Sequence, residues 1–140
     1  ICENLPYTKG AKETIYELKK MGYKVVCFSG GYETATIPAQ KVLGYDAQFS
    51  NIFHFKNGIL TGNLGGEMMF SDSKGKMLKR IQTLLDISES DTLAVGDGAN
   101  DLSMFQFAAK KAAFCAKPIL KENANIIIDE KDLSKILEYV

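Results

Sequence analysis

The chain has 140 residues, 46% of them apolar, and its 17 lysines and arginines balance 17 aspartates and glutamates. This length suffices for one ordinary domain with its own core. The charge balance leaves no basic field for nucleic acid or a membrane surface, the apolar runs are too short for a membrane span, and we expect no signal peptide. The cysteines are scattered (Cys2, Cys27, Cys115) and predict neither disulfides nor a zinc site, but a reducing, cytoplasmic location.

The first segments predict an alternation of helices and strands. Thr8 is the predicted N-cap of a helix over residues 9–21, whose apolar face carries Ala11, Ile15 and Leu18. Residues 23–28 predict a strand buried on both faces. A tight turn follows at residues 29–31, then a second helix that ends near residue 43.

The stretch from residue 47 to residue 70 has a different pattern. Residues 47–49 predict a short strand, and the Asn57-Gly58 pair between two apolar runs is typical of a β-hairpin turn. We therefore predict a small β-hairpin insert over residues 52–70, above the active edge of the sheet. His54, the single histidine, lies on this hairpin, and a surface position is favoured over a role as general base.

The second half continues the alternation. Its predicted elements are a helix at 71–85, a strand at 92–96, a helix at 101–109, a strand at 112–115, a helix at 118–123, a strand at 126–128 and a helix at 132–139. Strands that alternate with helices predict an α/β fold with a mainly parallel sheet and flanking helices.

The turn after the strand at 92–96 carries the strongest functional signal. Asp97 ends the strand, and Asp101 opens the next helix after a Gly98-Ala99-Asn100 turn. Open α/β sheets bind ligands at the carboxyl ends of their strands, and carboxylate oxygens suit Mg²⁺. A plain surface turn would also be rich in Gly, Asn and Asp, but it would not require this order, so we predict a magnesium site.

Two weaker signals point to phosphate. Ser29-Gly30-Gly31 places a hydroxyl and two glycine amides before a helix, as an anion cradle would, although an ordinary turn is the favoured interpretation of this segment taken alone. Lys74 lies in a first helical turn, where a cation opposes the helix dipole unless an anion lies nearby. The alternative is a solvated lysine on a helix that also carries Lys76 and Lys79.

Together these segments resemble a known family. Phe28-Ser29-Gly30-Gly31-Tyr32, Ser73-Lys74-Gly75 and the run from Val95 to Phe105, in that order, resemble the haloacid dehalogenase (HAD) superfamily. Within it they are similar to the phosphoserine phosphatase family, and so is the segment from Ala113 to Lys121.

The resemblance implies a Rossmann-like core and a role for each matched residue. Ser29 and the Gly30 amide would bind the transferring phosphoryl group, with Asn100 beside it. Lys74 would neutralise charge between nucleophile and phosphate. Asp97 would bind Mg²⁺, and Asp101 would support the metal directly or through water. The implied reaction hydrolyses L-phosphoserine to serine and phosphate, the last step of serine biosynthesis, through an aspartyl-phosphate.

One part of the family pattern is missing from this sequence. The family's first motif, a strand that ends in Asp-x-Asp with the nucleophile and the general acid, has no match among residues 1–140, and neither has the helical cap that recognises the serine moiety. The resemblance therefore implies a partial core domain over 1–140 whose central strand is absent. We expect an upstream segment or a second copy to complete the sheet, and this chain alone to be inactive.

The sequence leaves two alternatives to a phosphoserine phosphatase. One is a related HAD phosphatase or phosphotransferase acting on another small phosphomonoester. The other is a catalytically incomplete module that binds phosphate or metal without turnover, which the missing nucleophile favours and the joint presence of Ser29, Lys74 and Asp97 opposes.

Overall fold

The computed structural model describes residues 5–140, so Cys2 lies outside the described residues. The helices and strands follow in this order: α1 (Ala11–Lys20), β1 (Val26–Tyr32), α2 (Glu33–Leu43), β2 (Ala47–Lys56), β3 (Ile59–Gly66), α3 (Ser73–Leu85), β4 (Leu93–Gly96), α4 (Leu102–Phe105), β5 (Lys110–Phe114), α5 (Pro118–Lys121) and β6 (Ile126–Ile128). Short 3₁₀ segments lie at Glu89–Asp91, Ala99–Asp101 and Leu133–Tyr139. No helix in this part of the chain has the length and apolar character that crossing a bilayer requires.

The chain divides into two compact units, Ile1–Met69 and Phe70–Val140. In the first unit the sheet has the order β1-β2-β3, with β1 parallel to β2 and β2 antiparallel to β3. In the second, β4, β5 and β6 are all parallel, in that order. The predicted α/β fold with parallel strands and flanking helices is confirmed.

In the first unit, α1 buries the face that the sequence predicts, because Ala11, Ile15 and Leu18 are all buried. Thr8 is not its N-cap. The helix begins only at Ala11, after Gly10, whose φ of 75° ends the preceding turn. The prediction failed because the left-handed conformation at Gly10, rather than a side-chain cap, fixes the helix start.

Strand β1 differs from its prediction in two ways. It runs to Tyr32 and so includes residues 29–31, which form an irregular strand end rather than a separate tight turn. It is also half-buried rather than buried on both faces. As described, β1 pairs with β2 alone, so it is an edge strand and keeps part of its surface accessible.

The hairpin forms around the predicted turn, since Asn57 and Gly58 both have positive φ, 52° and 78°, as a two-residue hairpin turn requires. Its first strand, β2, is longer than expected because the short strand predicted at residues 47–49 is continuous with it.

The second unit buries an aliphatic core against its parallel sheet: Ala112, Ile126, Ile128 and Ile136, with Leu93, Val95, Phe114 and Leu133 packed around them. The predicted elements are found with ends displaced by a few residues, but the helix predicted over residues 132–139 is a 3₁₀ segment at Leu133–Tyr139. The largest change concerns the helix expected over residues 101–109, which is a 3₁₀ turn followed by the one-turn helix α4. This core holds the carboxyl ends of β4 and β5 side by side.

Candidate active site

Asp97 is the first residue after β4, at the carboxyl end of the parallel sheet. Its side chain is exposed, and among the described residues its carboxylate has no hydrogen-bond or ion-pair partner. The backbone, by contrast, is fixed, because the Asp97 carbonyl accepts a hydrogen bond of 2.9 Å from the Lys117 amide, just beyond β5. The fold thus presents a rigidly mounted carboxylate whose oxygens are available to a ligand.

Asp101 has a different environment, although it lies only four residues away. Its side chain is 4% exposed, and its Oδ2 accepts hydrogen bonds from the amides of Asp97, at 2.9 Å, and Gly98, at 3.1 Å. A Cβ at Gly96 would lie 2.4 Å from the Asp101 Cβ, so only glycine allows this carboxylate to fold beneath the strand end. Asp101 therefore shapes the loop that carries Asp97.

Lys74 supplies the countercharge for Asp101. The Lys74 Nζ donates a hydrogen bond of 2.6 Å to Asp101 Oδ1, and the Lys74 side chain is 11% exposed. A buried acid thus compensates the unfavourable position of a cation in the first turn of α3. Lys74 is therefore not the solvated lysine that the alternative interpretation expects. Lys76 on the same helix is, because 75% of its side chain is exposed.

In the first unit, residues 29–31 form a bulge at the end of β1. Phe28 pairs with Phe49 and Tyr32 with Asn51, so the three residues between Phe28 and Tyr32 face a single residue of β2. Ser29 Oγ accepts a hydrogen bond of 3.0 Å from the Gly31 amide, which leaves the hydroxyl hydrogen available to donate. The Ser29 hydroxyl can therefore donate to a ligand oxygen, while the Gly31 amide is already used within the bulge.

The remaining candidates are placed as follows. Asn100 is exposed in the 3₁₀ turn beside Asp97. His54 is exposed, and its Nδ1 lies 2.8 Å from Thr61 Oγ1 across the hairpin, which fits a surface position. In the segment after β3, Met68 is buried, whereas Met69 and Phe70 are exposed. Cys27 is half-buried, and Cys115 is exposed after β5, with a φ of 45°.

Two supporting contacts involve residues outside the predicted site. Asn51, which is 5% exposed, donates from Nδ2 to the Gly30 carbonyl at 3.0 Å and accepts at Oδ1 from the Met68 amide at 3.0 Å, so it fixes the bulge. Ser103 accepts a hydrogen bond of 3.0 Å from the Gly75 amide, next to Lys74. The role of Asn51 could have been suspected because it is a polar residue inside an apolar strand pattern. No local sequence feature predicts the contact made by Ser103.

The donor set suits magnesium, since Mg²⁺ is usually bound by one or two carboxylates and completes its shell with water and substrate phosphate. Asp97 offers a carboxylate that has no partner in the described part of the chain, whereas both Asp101 oxygens already accept hydrogen bonds. Residues 5–140 contain no group of three His, Cys, Asp or Glu side chains that would form a complete protein cage. The fit is therefore to a cation that binds mainly through Asp97, water and ligand oxygens.

Comparison with known proteins decides the family. The model of haloacid dehalogenase-like hydrolases matches residues 1–108 of this chain. The chain belongs to that family. Among similar HAD proteins, the phosphoserine phosphatase of Wolinella succinogenes is 61% identical over 140 residues, which cover 100% of this chain and 68% of the relative. The phosphoserine phosphatase of Methanocaldococcus jannaschii is 50% identical over 133 residues, 95% of this chain and 63% of the relative.

Solved HAD structures show the same likeness. A phospho-aspartyl intermediate analogue of phosphoserine phosphatase matches with a TM-score of 0.91 and 49% identity, over 96% of this chain and 65% of that chain. A substrate-bound phosphoserine phosphatase complex matches with a TM-score of 0.90 and 50% identity, over 95% and 63%. The present chain thus spans about two thirds of the length of these relatives.

Proposed function

We propose that this chain carries the phosphate-binding and metal-binding part of a magnesium-dependent phosphomonoester hydrolase whose substrate is L-phosphoserine. The observation that carries the proposal is the contrast between two acids: Asp97 is exposed and has no partner among residues 5–140, whereas Asp101 is buried against Lys74. Phosphoryl transfer is catalysed by positioning and charge neutralisation, and these residues supply both. The similarity to a substrate-bound phosphoserine phosphatase complex supports the choice of substrate.

Each residue then has a distinct role in the proposal. Asp97 holds Mg²⁺, and Asp101 acts on the metal only indirectly, because its oxygens keep the loop and Lys74 in place. The bound magnesium would offset negative charge on the phosphoryl oxygens. Lys74 adds a fixed positive charge, while Ser29, the Gly30 amide and Asn100 bind phosphate oxygens.

The nucleophile would come from outside these 140 residues, since no Asp-x-Asp pair occurs among them. An aspartate carboxylate would attack phosphorus as the bond from phosphorus to the serine oxygen breaks, and that oxygen would take a proton from the general acid of the same motif. Water would then release phosphate from the aspartyl-phosphate. The similarity to a phospho-aspartyl intermediate analogue supports this route. The reaction would be the last step of serine biosynthesis, in a reducing cytoplasm.

The missing Asp-x-Asp motif gives a second candidate its support: a module that binds phosphate and metal without turnover. The two candidates differ in whether phosphate is released when the chain is completed by an upstream strand.

The first experiment is phosphate release from L-phosphoserine, measured with magnesium and with EDTA, on this 140-residue chain and on a form extended upstream to include an Asp-x-Asp strand. We expect magnesium-dependent turnover from the extended form alone. Turnover by the 140-residue chain would refute the assignment of the nucleophile to an upstream segment. Phosphate binding without turnover by the extended form would favour the binding module, and a panel of small phosphomonoesters would show whether another substrate is preferred.

A further inference from the structure

The first turn of α3, which carries Lys74, is not held by a local cap. Asp72 precedes the helix in a right-handed conformation, and its side chain makes no capping hydrogen bond. Ser73 Oγ accepts instead from the Phe70 amide at 3.0 Å, behind the helix start. The Asp72–Lys76 ion pair spans this turn at 2.7 Å, but both side chains are exposed and such pairs stabilise little, so a buried contact from another element contributes more to its order.

The missing cap comes from α4. The Gly75 amide donates to Ser103 Oγ at 3.0 Å, so a side chain 28 residues away satisfies one of the free amides of the first turn. A Cβ at Gly75 would lie 2.3 Å from the Ser103 carbonyl oxygen, which means that the two helices meet backbone to backbone at this point. Any side chain at position 75 would force α3 away from α4.

This contact and the ion pair join the same two segments. Lys74 and Gly75 are adjacent in α3, and Asp101 and Ser103 are two residues apart at the start of α4. Two contacts therefore hold the start of α3 against the start of α4. They are the ion pair between Lys74 Nζ and Asp101 Oδ1, at 2.6 Å, and the hydrogen bond between Gly75 N and Ser103 Oγ, at 3.0 Å. If the Gly75–Ser103 hydrogen bond is lost, the Lys74–Asp101 ion pair remains, and it is made by a flexible lysine side chain.

We propose that Ser103 is a positioning residue that holds the Lys74 ammonium in its buried place through the Gly75 amide, a role that rests on the proposed function for its effect on catalysis. Ser103 acts through Lys74 and does not itself touch substrate. Removing its hydroxyl frees the first turn of α3 to open locally, and Lys74 then spends more time in solvent.

The first test measures this exposure directly and does not depend on activity. The upstream-extended protein is treated with a limiting amount of acetic anhydride, and the acetylation of Lys74 is measured by mass spectrometry relative to Lys76, the exposed lysine on the same helix. We expect the Lys74 to Lys76 ratio to rise about fivefold in Ser103→Ala, as the local opening becomes more frequent. Ser103→Thr, which keeps the hydroxyl, should retain the wild-type ratio.

The matched control is Thr83→Ala, which removes a hydroxyl that donates to the Lys79 carbonyl at 3.0 Å on the exposed, distal part of α3. Its ratio should equal that of the wild type. Ser103→Cys has nearly the volume of serine but is only a weak acceptor, so it replaces the alanine variant if that variant does not fold. A wild-type ratio in both Ser103→Ala and Ser103→Cys would overturn the proposal.

Kinetics provide the second readout. Ser103→Ala should lower kcat on L-phosphoserine about fivefold with little change in KM, because a displaced charge affects the transition state more than substrate binding. An unchanged kcat would overturn the role in catalysis. If the wild-type protein releases no phosphate from any phosphomonoester, the proposed function fails, while the acetylation ratio still decides the role of Ser103 in positioning Lys74.

Discussion

At the scale of single residues, the candidate site is organised by a difference between two acids of the same type. Asp97 is exposed and has no partner among the described residues, so its charge is available to a ligand. Asp101 is buried, and its carboxylate accepts hydrogen bonds from two backbone amides and the Lys74 ammonium group. The two carboxylates are therefore not interchangeable, and substitutions at each should fail in different ways.

Asp97→Asn in the upstream-extended protein should abolish magnesium-dependent phosphate release, because the amide removes the charge that holds the cation. The fold should be unaffected, since the side chain is exposed and the loop is held by the Asp97 backbone. Phosphate release measured over a magnesium series is the check, with Asp91→Asn, an exposed acid before β4, as the control. Near-normal rates in Asp97→Asn would show that this residue does not bind the metal.

Lys74→Ala should lower both activity and stability. We expect a loss of kcat of about 10²- to 10³-fold, as for other lost electrostatic stabilisers. Thermal unfolding should also shift down by the equivalent of about 3 kcal/mol, because Asp101 is left as a buried, uncompensated charge. Lys76→Ala, on the exposed face of the same helix, should change neither quantity appreciably. Wild-type kcat in Lys74→Ala would contradict the assigned role.

Residue types and local spacing predicted part of this site. The strand that ends at Asp97 and the position of Lys74 in a first helical turn could be predicted, because both depend on short-range patterns. The Lys74–Asp101 and Gly75–Ser103 contacts could not, since they join residues 27 and 28 positions apart. The difference between the exposed Asp97 carboxylate and the buried, hydrogen-bonded Asp101 carboxylate is therefore visible only in the folded chain.

At the scale of elements, the joints between strands and helices are held by side chains that bond to the backbone of another element. Asp46, after α2, is an example: its Oδ2 accepts from the Val25 amide at 2.8 Å, and its Oδ1 lies 3.1 Å from the Lys19 Nζ of α1. Partial burial acts to raise the pKa of this carboxyl, but the Val25 and Lys19 contacts prevail and lower the pKa below its ordinary value of 3.8. One side chain thus ties α1, β1 and the start of β2 together.

The lowered pKa of Asp46 predicts how stability depends on pH. An acid whose pKa is lower in the folded state stabilises the fold above its unfolded pKa, and this contribution is lost as the pH falls through the folded pKa. Asp46→Asn should therefore lower stability at pH 7 by less than about 1 kcal/mol, because the pair is partly screened by solvent. Thermal unfolding from pH 7 to pH 3 should show the difference from wild type shrink below about pH 4. A constant difference would contradict this account.

The sequence predicted the types of the elements well and their ends poorly. The parallel strands β4, β5 and β6 and the hairpin turn at Asn57-Gly58 follow directly from composition and turn chemistry. The end of β1 does not, because a buried Asn51 on β2 holds the Gly30 carbonyl and extends the strand through an expected turn. Element ends are set by such distant contacts, whereas element types are set by local pattern.

At the scale of the whole molecule, each unit contains a three-stranded sheet with β1 or β4 at one edge. Unpaired edges invite pairing with another chain. The family resemblance implies that a central strand is missing, and the unpaired edges of β1 and β4 are consistent with this. It remains a proposal that an upstream strand pairs with them.

This proposal predicts the solution behaviour of the chain. The 140-residue chain alone should self-associate in a concentration-dependent way, whereas the upstream-extended form should remain monodisperse, because its added strand pairs with the open edges. Light scattering coupled to size-exclusion chromatography over a range of concentrations is the measurement. A monodisperse, fully folded monomer of the 140-residue chain would count against a missing strand.

The hairpin tip also has a practical consequence for experiments on this protein. Asn57 and Gly58 lie at the exposed end of two paired strands, and no atom lies within 4 Å of the position that a Gly58 Cβ would take. Exposed loop tips of this kind accept insertions. A short peptide that recruits a fluorescent dye can therefore be inserted between the two residues without disturbing either sheet.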